Sequence, residues 1–331
     1  MRKRIFVYEY LSAGGEMAGE SPAGEHAAAD DLLAMGQSMR DAIVADLLSL
    51  ENYDVSVATC NRATAVPQPA GAVRARDGES PFDFVARQGD AHDLVWVVAP
   101  ETEGLLAKFR QCVDRGRWLG CDGPAIALTT GKRRTLLRLA EAGIATPLAF
   151  ENAPETARWV VKPDDGAGAV ATSLHPSRKA ALDASRHACA NSAMEIEPWV
   201  EGPALSLSLL CGPAHTELLS VNRQILAVDA HGLVSFRGVE VNVMAAADPR
   251  AAALVALAER IGHAIPGLRG FVGVDVVWHA ERGPVVIEIN PRVTCAYAGL
   301  SDALGRNVAR DVIGAHGRAD AWADSSKAMH A

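Results

Sequence analysis

The stretch Gly273-Val-Asp275-Val-Val-Trp-His-Ala-Glu-Arg-Gly-Pro-Val-Val-Ile-Glu288-Ile-Asn290-Pro-Arg292 decides the fold. Phe271 to Trp278 is apolar apart from Asp275, and Val285 to Ile289 is apolar apart from Glu288. Two such runs joined by a short polar turn read as a β-hairpin. A strand sends alternate side chains to opposite faces, so Glu288 and Asn290 share one face, about 6–7 Å apart. With the turn centred on Glu281-Arg282, Asp275 lies about opposite Glu288 and can point the same way. Two carboxylates and one amide oxygen then form a single patch. Hard oxygen ligands in that number suit Mg²⁺, or Mn²⁺ in its place, with the rest of the shell supplied by water and substrate phosphates. A solvated hairpin face would alternate polar residues along its whole length, whereas here they are few and specific in type.

The bulk composition limits the other choices. The chain has 331 residues, 49% apolar and 22% charged, which is ordinary for a globular protein of two or three domains. A net charge of −8 argues against nucleic acid or an anionic membrane as the main partner. No run is apolar enough to span a bilayer. The chain enters a strand directly at Ile5–Tyr10, without a signal-peptide pattern. None of Cys60, Cys112, Cys121, Cys189, Cys211 and Cys295 stands at Cys-x-x-Cys spacing, so reduced thiols in a cytoplasm are expected.

Along the chain, residues 1–120 alternate strand and helix, as in an open α/β domain. Strand Ile5–Tyr10, helix Asp30–Leu50, strand Asp54–Ala58, a loop over Pro67–Ser80, strand Leu94–Ala99 and helix Glu103–Arg115 are expected. No Gly-x-Gly-x-x-Gly is present, so no dinucleotide site is assigned. Residues 121–198 form a second unit, with strand Ala125–Leu128 and helix Lys132–Ala142 capped by Thr129 or Thr130. It continues through strand Trp159–Lys162, helix Ser177–Ala190 and strand Ile196–Val200. Residues 199–316 hold three more strands, helix Asp248–Ile265, the hairpin and a last helix near Ala303–Ala315. A tail over 317–331 is expected to fray.

Lys162 ends its strand just before Asp164-Asp-Gly166-Ala-Gly168. Gly166 and Gly168 let backbone N–H groups approach phosphate oxygens without a Cβ in the way. The Lys132 helix start, the Val-Lys-Pro-x-x-Gly-x-Gly run, Glu197-Pro-Trp-Val200-Glu201-Gly202 and the hairpin follow one another in an order and spacing that resemble the ATP-grasp ligases. The resemblance covers nearly the whole chain. It implies an α/β protein with an ATP-grasp fold behind an N-terminal pre-ATP-grasp domain.

The resemblance also implies roles. Lys132 and Lys162 would face the triphosphate beneath the glycine loop, with loop 164–170 as a lid. Glu197 and the Val200 backbone would hold adenine. Asp275, Glu288 and Asn290 would hold Mg²⁺, and Arg292 would steady an acyl phosphate, unless it is a structural salt bridge to a neighbouring lobe. Where the family often has a ribose-binding acid, this chain has Ala204, so Glu201 is a candidate substitute. The implied reaction activates a carboxylate with ATP and passes the acyl group to an amine.

Tyr8-Glu9-Tyr10 leading to Gly14-Gly15, Ala99-Pro100-Glu101-Thr-Glu103-Gly104, and Asn290-Pro-Arg-Val-Thr294-Cys-Ala-Tyr297 are similar to one branch, the tyramine–glutamate ligases of methanofuran biosynthesis. Glu9, Glu101 and Glu103 are candidates for a substrate ammonium, or are loop carboxylates in water. A ligase with another acceptor and a non-catalytic ATP binder remain as alternatives, separated by ATP turnover. Small-molecule substrates are the expected partners, with a homodimer as the general prior.

Overall fold

The computed structural model describes residues 2–16, 26–166, 169–187 and 193–317. Gly168, Cys189 and residues 318–331 of the tail lie outside them. The N-terminal unit begins with strand β1 (Lys3–Glu9), helix α1 (His26–Leu48), strands β2 (Tyr53–Ala58) and β3 (Gly71–Val73), helix α2 (Pro81–Ala91) and strand β4 (Leu94–Val98). The four strands are parallel, in the order β3-β2-β1-β4. Both faces of β1 are buried: Ile5 and Val7 pack in one apolar cluster, Phe6 and Tyr8 in another. This double burial explains the continuous apolar run rather than an alternating one.

The loop expected over 67–80 contains β3. Hydrophobic spacing did not announce α2. Its signal is Ser80 before Pro81, and the Ser80 hydroxyl caps the helix by accepting from Asp83 N at 3.1 Å. The helix expected over 103–115 is shorter: α3 (Leu105–Gln111) follows a 3-10 turn at Thr102–Gly104. Glu103 and Gly104 both have positive φ there, 54° and 68°, which interrupts the helix on its N-terminal side.

Ala125–Leu128 is not a strand. It lies inside helix α4 (Gly123–Thr130). A four-residue apolar run cannot be assigned by periodicity alone. What decides it is Asp122, whose Oδ1 accepts from Ala125 N at 2.9 Å, with Pro124 in the first turn. Thr129 and Thr130 therefore do not cap the next helix. Their hydroxyls donate to Ala125 O and Ile126 O within α4, both at 2.8 Å.

Helix α5 (Lys132–Glu141) starts at Gly131 and leads to an antiparallel sheet of strand β5 (Trp159–Pro163) between strands β6 (Ser173–His175) and β7 (Met194–Pro198). Helix α6 (Arg178–His187) packs on it, where Ala181 is fully buried. The third sheet is antiparallel. It comprises strands β8 (Ala204–Cys211), β9 (Thr216–Val228), β10 (Val234–Glu240), β11 (Gly270–His279) and β12 (Gly283–Asn290), ordered β10-β9-β8-β11-β12. Helix α7 (Ala251–Ala264) precedes β11; helices α8 (Leu300–Leu304) and α9 (Val308–His316) close the described chain.

The last helix joins the two larger sheets. Val308, Val312 and Ala315 are buried in one cluster with Ile5, Val7 and Val98 of the first sheet and Leu210 and Phe271 of the third. Each large apolar side chain buried this way contributes about 1.5–3 kcal/mol. His316 completes the joint: its Nε2 accepts from Gly120 N at 2.8 Å and its Nδ1 donates to Val312 O at 2.8 Å. No helix among the described residues is long and apolar enough to cross a membrane.

Candidate functional site

A cavity of about 240 Å³ opens between the three-stranded and five-stranded sheets. Lys162, Glu197, Val200, Asp275, Glu288, Asn290 and Arg292 all line it. Strand geometry explains how β11 and β12 contribute. Asp275 pairs directly with Glu288 across the hairpin, and a bulge follows between Asp275 and Val276. The turn falls at 280–282, as the sequence indicates.

Asp275 is buried against a like charge. Burial first, and the Glu288 charge second, push the Asp275 carboxyl up to about 7. Gln224 Nε2 donates to Asp275 Oδ1 at 2.9 Å, and the Asn290 side chain also bonds it. A cation between Asp275 and Glu288 would relieve that repulsion, so the donor set fits a hard divalent ion. Among the described residues no group of three or more His, Cys, Asp and Glu side chains could hold a metal by itself. Two carboxylates and an amide suit an ion whose other ligands arrive with a phosphate.

Two lysines stand beside this pair. Lys162 Nζ donates to Glu197 Oε1 at 2.6 Å, with both side chains buried. Burial alone would lower the Lys162 ammonium, but Glu197 and Glu288 outweigh it and raise its pKa, so the amine stays charged. Lys132 reaches the site through Glu288: its Nζ lies 3.2 Å from Glu288 Oε1 and also donates to the Gly166 carbonyl.

The start of α5 is docked on the glycine turn. Asp164 O accepts from Lys132 N at 3.0 Å, and Asp164 Oδ1 accepts from Arg133 N at 3.0 Å. Asp164 thus supplies the cap that Thr129 and Thr130 do not, and places Lys132 against the turn. Gly166 is in place, while Gly168 lies outside the described residues.

The segment after β7 crosses close to β11. A Cβ at Gly202, where φ is 143°, would clash with the Trp278 carbonyl, and Trp278 N donates to Pro203 O at 3.0 Å. This contact presents Trp199, Val200 and Gly202 to the cavity. Glu201 is not brought there. Its carboxylate takes Arg158 Nη2 at 2.6 and 2.8 Å and is mostly exposed.

Arg292 lines the cavity while pairing with Glu101, which follows β4 of the first sheet. Nη2 and Nε both donate to Glu101 Oε2, at 3.0 and 3.2 Å. The inter-lobe salt bridge and the cavity position are therefore both realised. Glu9 is occupied locally, accepting from Ser12 N at 2.8 Å and Leu11 N at 3.2 Å, and burial raises its carboxyl pKa. Glu103 gives its N–H to Asp165 Oδ2 at 2.9 Å.

Sequence reasoning missed Gln224. Strand β8 separates β9 from β11, and Ser206 of β8 pairs with Asp275. Only the sheet order reveals that a β9 side chain reaches the acid. In the sequence Gln224 follows Asn222 and Arg223 in a run of three polar residues, so nothing local singles it out.

Comparisons with known proteins bear on the fold and the family. The chain aligns with a putative ATP-grasp superfamily protein from Archaeoglobus fulgidus at 22% identity and a TM-score of 0.66, covering 96% of this chain and 89% of that one. It aligns with the L-amino acid ligase from Bacillus licheniformis at 16% identity and a TM-score of 0.63, covering 96% and 74%. It aligns with the D-alanine–D-alanine ligase from Bacillus anthracis, solved with ATP, at 14% identity and a TM-score of 0.62, covering 95% and 96%. At such identities the likeness is one of fold. No curated protein matches the sequence. A family model described as pre ATP-grasp 3 domain matches residues 53–126. Because the model of the ATP-grasp domain matches residues 129–296, about half of the sequence and the part that builds the cavity, the chain belongs to the ATP-grasp family.

Proposed function

We propose that the protein is an ATP-dependent carboxylate–amine ligase that releases ADP. The observation that carries the reading is the convergence in one cavity of Lys162, the Asp275/Glu288/Asn290 set and Arg292, with Lys132 bonded to Glu288. The chemical problem in such a ligase is to bring a carboxylate against a triphosphate. Lys132 and Lys162 offset the phosphate charge, and Arg292 offers guanidinium N–H groups to the oxygens of the acyl phosphate. Asp275, Glu288 and Asn290 would hold Mg²⁺, which when bound supplies charge neutralisation between phosphate oxygens.

Apolar walls at Val160, Trp199, Val200 and Ile287 suit a flat base and exclude water. Glu197 and the Val200 backbone, which line the same cavity, would read its polar edge. The turn that ends at Gly166 would lie over the phosphates and help shield the acyl phosphate from hydrolysis. No protein nucleophile is required, because the phosphoryl group passes directly to the substrate carboxylate.

For the substrates, the resemblance of Tyr8–Tyr10, Ala99–Gly104 and Asn290–Tyr297 to the tyramine–glutamate ligases favours L-glutamate and an aromatic amine. Met35, Cys295 and Ala296 are among the apolar residues that line the cavity, which suits an amine with an apolar body. The protein would act as a soluble enzyme on small molecules, and a homodimer remains the prior.

The test is ADP release with Mg-ATP and L-glutamate, with and without tyramine, with products weighed by mass spectrometry. A glutamyl-amine mass that requires the amine supports the full reading. ADP release with a different acid or amine keeps the ligase and moves the substrates. Binding of Mg-ATP with no ADP release across a broad panel of acids and amines sinks it.

A further inference from the structure

The Glu101–Arg292 pair is built with one oxygen left over. Two guanidinium nitrogens converge on Glu101 Oε2, although a carboxylate and a guanidinium can meet through two parallel bonds. Glu101 is only 4% exposed, and its Oε1 is buried with no hydrogen-bond partner among the described residues. Two hydroxyls nearby in the chain share this condition: Thr102 Oγ1 beside Glu101 and Thr294 Oγ1 two residues after Arg292. Buried polar atoms are nearly always satisfied, so three orphans on the two segments that this ion pair joins are an anomaly.

The unmet atoms specify a ligand. A carboxylate oxygen only accepts, and each hydroxyl can accept as well. A compact group that donates several N–H bonds at once and carries the complementary charge is a primary ammonium, whose three donors match three acceptors. Arg292 and Thr294 also line the cavity, next to Asn290 of the metal-ligand set. We propose that Glu101 Oε1, with the Thr102 and Thr294 hydroxyls, binds the primary ammonium of an amino-acid substrate whose carboxylate is presented to Arg292. This deepens the ligase reading and rests on it for the term substrate.

The turn that carries Glu101 is under tension of its own. Glu103 holds a left-handed backbone, which non-glycine residues adopt at a cost and which recurs at binding sites. Its N–H bonds Asp165 of the phosphate turn at 2.9 Å. A ligand that moves the 101–103 turn is therefore felt at the loop over the phosphates.

The test is calorimetric binding of a panel of L-amino acids and their desamino acids, for example L-glutamate against glutarate and L-tyrosine against 3-(4-hydroxyphenyl)propionate. The wild type is held with Mg²⁺ and a non-hydrolysable ATP analogue. At least one amino acid should outbind its desamino counterpart by about tenfold or more. In Glu101→Gln that gap should shrink to about threefold or less, with affinity for the ATP analogue kept. Thr294→Val, which leaves the Glu101–Arg292 pair intact, should narrow the gap partly. Should Glu101→Gln not fold, Thr294→Val carries the test. A wild type that prefers no amino acid over its desamino acid, or a gap unchanged in the variants, overturns the proposal. ADP release by the same proteins is read in parallel: an ammonium preference without any ADP release would sink the ligase reading and leave this site standing.

Discussion

Lys132 Nζ lies 3.2 Å from Glu288 Oε1, so a cation suited to phosphate rests on an anion suited to a metal. Each neutralises the other inside the cleft. On the proposed reading, Mg-ATP would bring both opposite charges at once: the phosphate would take the lysine and the ion the glutamate. Binding would then be an exchange of partners rather than the burial of new bare charge, which would lower its desolvation cost.

Glu288→Gln keeps the size of the side chain and an oxygen for Lys132, but removes the negative charge. Its melting temperature should stay close to that of wild type. Its ADP release should fall by more than about 100-fold, beyond what loss of a mere outer-shell partner costs. Titrating Mg²⁺ against rate checks the cause, since the half-saturating concentration should rise. Wild-type turnover would remove Glu288 from the metal set.

The buried Lys162–Glu197 pair predicts an asymmetric mutant series. Lys162→Met strands a buried carboxylate and should cost about 3–5 kcal/mol in urea denaturation. Adding Glu197→Leu should return most of that stability, because an apolar pair of similar volume replaces two desolvated charges. The double variant should still fail to bind ATP. A single variant as stable as wild type would show that the pair is not buried as described.

Glu201 should be dispensable for nucleotide. Its exposed pair with Arg158 is worth less than about 1 kcal/mol, so Glu201→Ala should leave both stability and ATP affinity nearly unchanged. Calorimetric titration with ATP settles the point. A loss of about tenfold or more would place Glu201 on the ribose after all.

His316 predicts a pH dependence of stability. Burial lowers its pKa below the ordinary 6.5, against weaker support from the Val312 and Gly120 carbonyls. The folded state therefore holds the ring neutral. Its contribution is complete above the unfolded value of about 6.5 and is lost as the pH falls from there through the lowered folded value. Thermal melts of wild type should drop across that window. His316→Gln should start lower, by about 1–3 kcal/mol for the disturbed buried joint, but lose less on acidification. Parallel curves for the two proteins would exonerate His316.

Much of the site was legible because it is local. The hairpin needed only alternation and a turn, and Asp275 does stand opposite Glu288. The Lys162 strand end and the glycine turn were read the same way. Short elements were less legible. Ala125–Leu128 was ambiguous, and the decision lay outside the run, in Asp122 and Pro124.

What the sequence determined by itself was the set of strands and helices with strong periodicity, the hairpin that pairs Asp275 with Glu288, and the motifs that carry the family resemblance, because each is encoded within a contiguous stretch. What only the tertiary structure decided is who meets whom across the cleft. Glu101 meeting Arg292, Lys132 meeting Glu288, Gln224 reaching Asp275 over β8, and Glu201 turning to Arg158 instead of the cavity all join distant segments. Burial makes such pairings obligatory for the inward groups, since a desolvated charge must find a partner, but which partner is available depends on sheet order and lobe packing.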